Sequence, residues 1–281
     1  MSLMTLQQIA QAIPDGSKIA VLKDDSGAVM ATAAALIDRG ARDLHMVCVP
    51  ISGLLIEWLL QARAVRTLES SAVTLAEFGG APRFGQAVRE GEIRLLDATC
   101  PAVYAGLQAS EKGIPFTVLR GILDSDLLAR RDDWKVIANP FAEDDPIVAI
   151  KAIDPDISLI HAPAADRFGN VYIGRDRNTM LLGHAAKACY ATVEEIVEGN
   201  LLDDPIRSGS VLPSVYVDGV AHVPQACWPL GFDDHYDDDR EWISSYLAAA
   251  RDPEAFADWW QRARQAAPWA RLLPMPEISP A

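Results

Sequence analysis

The chain has 281 residues, half of them hydrophobic, and carries a formal net charge of −14 at pH 7. That length holds a full apolar core in one large α/β domain or two small ones. The acidic balance excludes nucleic acid and anionic membrane as direct partners, because both need a basic footprint, whereas a local arginine or a helix N-terminus still admits an anionic ligand.

Thr5 to Ala12 reads as a short helix stopped at Pro14-Asp15-Gly16. Lys18 to Leu22 is a strand, and Lys23-Asp24-Asp25-Ser26-Gly27 is its turn. An alanine-rich helix from Ala28 to Arg39 ends at Gly40, a stop signal. Leu44 to Val49 is the next strand, followed by Pro50-Ile51-Ser52-Gly53 and a helix to about Gln61. Val65 to Leu68 is a strand, and Gly79-Gly80-Ala81-Pro82 leads into a helix from about Phe84 to Glu90.

Ile93 to Gly121 is the most informative stretch. Ile93 to Leu96 reads as a buried strand, and Cys100-Pro101 open a helix that runs to about Lys112. Ile114 to Leu119 is then a second strand ending at Arg120-Gly121, which makes the stretch a βαβ unit. Ligands gather at the carboxyl-end turns of an open parallel sheet, so Thr99 and Cys100 are expected in a site wall, with Arg120 and Gly121 at the same edge.

Trp134 to Ile137 is a short strand leading to the Asn139-Pro140-Phe141 turn. Ile147 to Ile153 and Ile157 to Ala162 are apolar strands broken by Asp154-Pro155-Asp156, and Val171 to Ile173 is another. A helix from Thr179 to Lys187 precedes strands at Ala188 to Val193 and Val215 to Val220. Glu241 to Ala250 and Pro253 to Ala267 are helices with an aromatic stripe, read as core or subunit contact. The alternation predicts an open, mostly parallel sheet with helices on both faces, a three-layer αβα arrangement. We expect one domain over residues 1–267, with an irregular tail over 268–281.

Several of these segments occur together in a known family. Gly113-Ile114-Pro115-Phe116, Arg120-Gly121, Asn139-Pro140-Phe141 and Asp145-Pro146-Ile147-Val148 come first. His161-Ala162, Asp166-Arg167-Phe168-Gly169-Asn170 and Thr192 to Val197 follow. In this order, over roughly residues 15 to 231, the chain resembles the α subunit of the family I coenzyme A transferases. The resemblance implies a CoA-transferase-like fold and a two-component enzyme that moves CoA between an acyl-CoA and a carboxylic acid. It further implies that a separate β subunit supplies the glutamate nucleophile, and that CoA is a substrate, with no permanently bound cofactor. Two other functions stay open: one component of an acyl-CoA or ring-cleaving CoA hydrolase, and a non-catalytic small-molecule binding module.

The expected substrate or oxyanion wall comprises Lys23, Ser26, Gly27, Thr99, Cys100, Arg120, Gly121, Asn139 and Asn170. Family members carry Gly-Gly-Phe after the first strand, where this chain has Lys23 to Gly27. Lys23, the Ser26 hydroxyl and the Gly27 amide offer anion contacts there, while Asp24 and Asp25 repel anions. Cys100 stands where 3-oxoacid transferases have an oxyanion-binding glutamine and related hydrolases a catalytic glutamate. At a helix N-terminus it either lines the site or packs as a small cap residue. Arg120 either forks onto a ligand carboxylate or CoA phosphate, or pairs with Asp124 or Asp126. Asn170 either reaches the site or fixes its loop. His161 is expected as a hydrogen-bonded structural residue, Glu194-Glu195 as structural, and Glu77 as no nucleophile.

The four cysteines have no CxxC spacing, no histidine pair suits a metal, and no apolar run reaches the roughly 18 residues of a membrane helix. No export segment is read before the first helix, so the expectation is a cytoplasmic protein with free thiols.

Overall fold

The structure, a computed structural model, describes residues 3–273. Seven parallel strands form its frame: β1 (Lys18–Val21), β2 (Leu44–Cys48), β3 (Val65–Ser70), β4 (Arg94–Asp97), β8 (Ile157–Asp166), β10 (Ala188–Val197) and β12 (Gly219–His222). They lie side by side in the order β12-β10-β8-β1-β2-β3-β4. β9 (Val171–Tyr172) pairs antiparallel with β8, and β11 (Val211–Leu212) with β9.

Alternating side chains of each strand feed two cores. Ile19 and Val21 of β1, with Met46 and Cys48 of β2, face α1 (Leu6–Ala12), α2 (Met30–Asp38), α3 (Leu54–Gln61), α7 (Arg240–Ala249) and α8 (Pro253–Ala266). Ala20 and Leu22, with Val47 and Val49, face α5 (Cys100–Glu111) and α6 (Arg177–Ala185). Both faces of a parallel sheet must be covered, which explains strands that are apolar throughout. The expected three-layer arrangement is the one found.

Six of the seven tryptophans belong to the first core, and Trp134 belongs to the second. Trp58 of α3 meets Trp259 of α8 edge-on at 5.9 Å, and Trp242 of α7 meets Trp259 at 6.0 Å. Trp269 is also buried, so the chain stays packed beyond α8; the rest of the expected tail, 274–281, lies outside the described residues. Buried Glu57 of α3 ties this layer together. It accepts from the amides of Arg83 and Phe84, at the start of α4 (Pro82–Arg89), and from the Tyr246 hydroxyl of α7 at 2.8 Å.

One expectation fails. β5 (Phe116–Leu119) does not return to the main sheet beside β4, so Ile93 to Gly121 is not a βαβ unit. Instead β5, β7 (Ile147–Lys151) and β6 (Trp134–Ile137) form a separate antiparallel sheet in that order. Phe116 and Val118 are exposed while Thr117 and Leu119 are half-buried. That alternation suits an antiparallel sheet with one wet face, not a strand buried on both sides. Arg131 fastens the small sheet to the large one. Its buried guanidinium reaches Glu69 of β3 at 2.5 Å, Asp133 at 2.9 Å and the carbonyls of Leu96 and Asp97 at the end of β4. It also lies over the Trp134 ring at 4.3 Å. A smaller difference concerns Val215 to Val220. Ser214 to Tyr216 form a single helical turn, and the strand begins at Gly219.

Candidate functional site

The carboxyl ends of β1, β2, β3 and β4 lie along one edge of the sheet, so their following turns form a continuous rim. After β1 the chain makes one helical turn at Asp24–Ser26 and leaves it through Gly27 at φ 111°. Only glycine fits there. A Cβ would stand 3.1 Å from the His161 carbonyl in a backbone conformation that other residues rarely adopt. Lys23 pairs with Asp25 at 3.0 Å. Burial works against the Lys23 ammonium, but the hydrogen bond and charge of Asp25 outweigh it and hold its pKa above the usual lysine value. The Ser26 hydroxyl is buried with no hydrogen-bond partner among the described residues.

Asp24 turns inward and caps α3. Its two carboxylate oxygens accept from the Gly53 amide at 3.1 Å and the Leu54 amide at 2.8 Å. Burial pushes its pKa up to about 7 against those two hydrogen bonds, and the charges of Asp25 and Asp238 push the same way. The close approach needs Gly53, where a Cβ would fall 2.0 Å from the Thr74 carbonyl oxygen.

Thr99 caps α5 through its hydroxyl, which accepts from the Ala102 amide at 3.3 Å. Cys100 is exposed, with its sulfur 3.1 Å from the Ser71 hydroxyl after β3. The other three cysteines are buried, and burial pushes Cys48 and Cys189 to about 12 and Cys227 well up. Cys100 is therefore the accessible thiol of the four. One turn along α5 stands half-buried Tyr104. Burial raises the Tyr104 phenol while the charge of Lys23 pulls it down, and Asp176, Cys100 and Asp25 act on it too. Sequence reasoning passed over Tyr104; its i+4 spacing from Cys100 on one helix face was the available signal.

On the far side of β1, His161 of β8 is fully enclosed. Its Nε2 lies 2.7 Å from Glu194 Oε1 on β10, and its Nδ1 2.9 Å from the Thr192 hydroxyl. Burial drives the imidazole below its ordinary value, with Glu194 opposing, so the ring is neutral at pH 7. Neutral His161 donates from Nε2 and accepts at Nδ1. Burial works against ionised Glu194, but its hydrogen bonds outweigh this and keep its pKa below the usual range. The Gln225 amide donates to both of its oxygens at 3.0 Å. Phe232 closes the cluster, meeting His161 edge-on at 4.5 Å. His161 and Glu194 are hydrogen-bonded to each other beside Gly27.

The remaining expected residues lie elsewhere. Arg120, Gly121 and Asn139 border the small antiparallel sheet, not the rim of the large one as expected, because β5 does not return beside β4. Exposed Arg120 forks onto Asp145, its Nε 3.0 Å from Oδ1, and not onto Asp124 or Asp126. The Asn139 amide donates to the same carboxylate at 2.7 Å. Asn170 is buried; its side chain joins Asp166, Asn200 and the Ser214 amide, which is the loop-fixing alternative. Glu77 is exposed and paired with Arg240 at 2.7 Å. Among the described residues no group of three His, Cys, Asp or Glu side chains is placed to hold a metal ion.

A cavity of about 410 Å³ opens over the ends of β1, β2 and β3, lined by Lys23, Asp24 and Asp25 together with Ile51, Leu54, Leu75 and Phe78.

Comparison with known proteins agrees with this geometry. A family model described as Coenzyme A transferase matches residues 3–222. The A-type subunit of the 3-oxoadipate CoA-transferase of Pseudomonas knackmussii is 31% identical over 267 residues, covering 92% of this chain and 91% of that one. Among solved structures, a variant of the decarboxylase AibA/AibB superposes with a TM-score of 0.83 at 28% identity, covering 94% of this chain and 98% of that one. The glutaconate coenzyme A-transferase of Acidaminococcus fermentans superposes with a TM-score of 0.87 at 23% identity, covering 93% and 88%, an agreement of fold.

Proposed function

Because the chain belongs to the coenzyme A transferase family, we propose that it is the α subunit of a two-component enzyme that moves CoA from an acyl-CoA to a carboxylic acid. The observation that carries this reading is its likeness, over nine-tenths of both chains, to the corresponding subunit of a CoA-transferase. The nucleophilic glutamate is assigned to a second chain, because the carboxylates near the rim here are already engaged. Asp24 caps α3, Glu69 holds Arg131, Glu77 holds Arg240, and Glu194 holds His161 and Gln225. Of these, Glu77 alone is exposed, and Arg240 pairs with it.

In the proposed reaction the second chain's glutamate attacks the donor thioester, forming an acyl anhydride and releasing CoA thiolate. The thiolate then attacks the glutamyl carbonyl, expels the first carboxylate and leaves a glutamyl-CoA thioester. The acceptor acid repeats the sequence in reverse and departs as the new acyl-CoA. Each attack builds an oxyanion, and this chain's part is to receive it. The Tyr104 hydroxyl and the Lys23 ammonium are the donors we assign, with Gly27, Ser26, Thr99 and Cys100 completing the wall. A well-placed oxyanion donor is worth roughly 3–4 kcal/mol of barrier. Arg120, Gly121 and Asn139 are proposed for a more distant part of CoA, where a phosphate would displace Asp145. CoA enters as substrate, and no resident cofactor is proposed. A cytoplasmic location is part of the proposal; no described helix is long and apolar enough to cross a membrane.

The test is to purify the tagged chain from its own organism and assay the eluate for acyl-CoA to acid exchange. A copurifying second chain, with exchange that this chain alone lacks, supports the reading. Exchange by this chain alone contradicts it. Release of free CoA points to the hydrolase alternative, loss of CO₂ to a decarboxylase, and no turnover of any kind to a binding module.

A further inference from the structure

We infer that the cavity beside Asp24 receives the acyl tail and selects acyl groups that carry no second carboxylate. The inference rests on the transferase reading and adds a substrate class to it. The anion-binding capacity of this cavity is already spent. The two amides at the start of α3 are the natural donors for a ligand carboxylate, and the chain's own Asp24 occupies both at 3.1 and 2.8 Å. Gly53 lets the backbone come close enough for that.

Apart from Lys23 and Thr74, what remains facing the cavity is anionic or apolar. Asp25, Glu77 and Asp238 border it with Asp24, and Lys23 is its sole lining cation, already paired with Asp25. A ligand carboxylate entering here meets Asp25 paired with Lys23, Glu77 paired with Arg240, and Asp238, and among the described residues no unpaired cation lines the cavity. Like-charge juxtaposition of that kind costs several kcal/mol. The apolar lining residues, Ile51, Leu54, Leu75, Phe78, Leu230 and Ile243, are a surface for a hydrocarbon tail. Pockets of a few hundred Å³ hold ligands of small-molecule size. Lys23 borders the cavity and belongs to the proposed oxyanion wall, so a thioester carbonyl bound at that wall would direct its tail past Lys23 into this space.

Hexanoate and adipate differ by one terminal carboxylate at equal chain length, and so do the acyl groups of hexanoyl-CoA and adipoyl-CoA. With the assembled two-chain enzyme and acetyl-CoA as donor, hexanoate should exceed adipate in kcat/KM by at least roughly tenfold. The Asp25→Asn/Asp238→Asn double variant should narrow that ratio, because it neutralises the rim without touching the α3 cap. Binding of hexanoyl-CoA and adipoyl-CoA, read by calorimetry, should show the same preference whether or not exchange occurs. Exchange that favours adipate, or adipoyl-CoA bound as tightly as hexanoyl-CoA, overturns the inference and leaves the transferase reading standing. Absence of exchange with a retained preference for hexanoyl-CoA overturns the transferase reading instead.

Discussion

His161 Nε2 lies 2.7 Å from Glu194 Oε1, bridging two neighbouring parallel strands beside the glycine that ends the β1 turn. The pair links His161, Thr192, Glu194 and Gln225 in one chain of hydrogen bonds, so the rim of the sheet is held by its own polar side chains.

This pair makes the protein acid-sensitive. Burial lowers the native His161 pKa, so on acidification below its ordinary value of 6.5 the unfolded chain binds a proton that the native state does not. Stability is present above that value and falls as pH drops through it. Glu194, whose native pKa is lowered, acts in the same sense below 4.5. Thermal melts should show that His161→Gln loses less stability than the parent between neutral and mildly acidic pH. A parallel loss in both proteins would contradict a buried neutral imidazole.

Asp24 works in the opposite direction. Its native pKa of about 7 stands above the ordinary 3.8, so between these values the native state keeps a proton that the unfolded chain releases. Stability contributed by the protonated form is full below the lower value and declines as pH rises towards 7, by roughly 4 kcal/mol in all. In the Asp24→Asn variant that decline should be absent. Denaturant midpoints measured across this range for both proteins check the sign.

Arg131→Ala should be strongly destabilising. It leaves Glu69 buried without its guanidinium partner, a change that costs about 3–5 kcal/mol. Replacing both residues with apolar side chains, as in Arg131→Met/Glu69→Leu, should recover much of the loss. Urea denaturation resolves the two cases, and equal destabilisation by both variants would show that the charge is not the cause.

For catalysis, Tyr104→Phe should lower kcat by about a hundredfold with little change in melting temperature, the scale of losing one oxyanion donor. Cys100→Ser should lower turnover less, because a hydroxyl keeps the contact to Ser71. Unchanged turnover in Tyr104→Phe would remove that residue from the site, and unchanged turnover in Cys100→Ser would do the same for the thiol.

The main sheet was readable because its central strands are apolar along most of their length, and glycine and proline mark many of their ends. The path of β5 was not readable. A short apolar run after a helix reads the same whether it rejoins the parallel sheet or starts an antiparallel one, and only the Arg131 anchor and the β6–β7 pairing decide. Thr99 was legible as a cap from its place before Cys100-Pro101. The capping role of Asp24 was missed for a different reason, because its partners at the start of α3 lie about thirty residues further along the chain. The Arg120 partner, Asp145, sits 25 residues on, outside the local acids that sequence reasoning considered.

The central claim is that this chain shapes the site while another chain carries the nucleophile. The most direct measurement is to incubate the assembled enzyme with acyl-CoA alone, denature it, and weigh the two chains by mass spectrometry. The account predicts a CoA thioester on a glutamate of the second chain and an unmodified mass for this one. A CoA or acyl adduct on this chain, whether on Cys100 or on one of its glutamates, would contradict it.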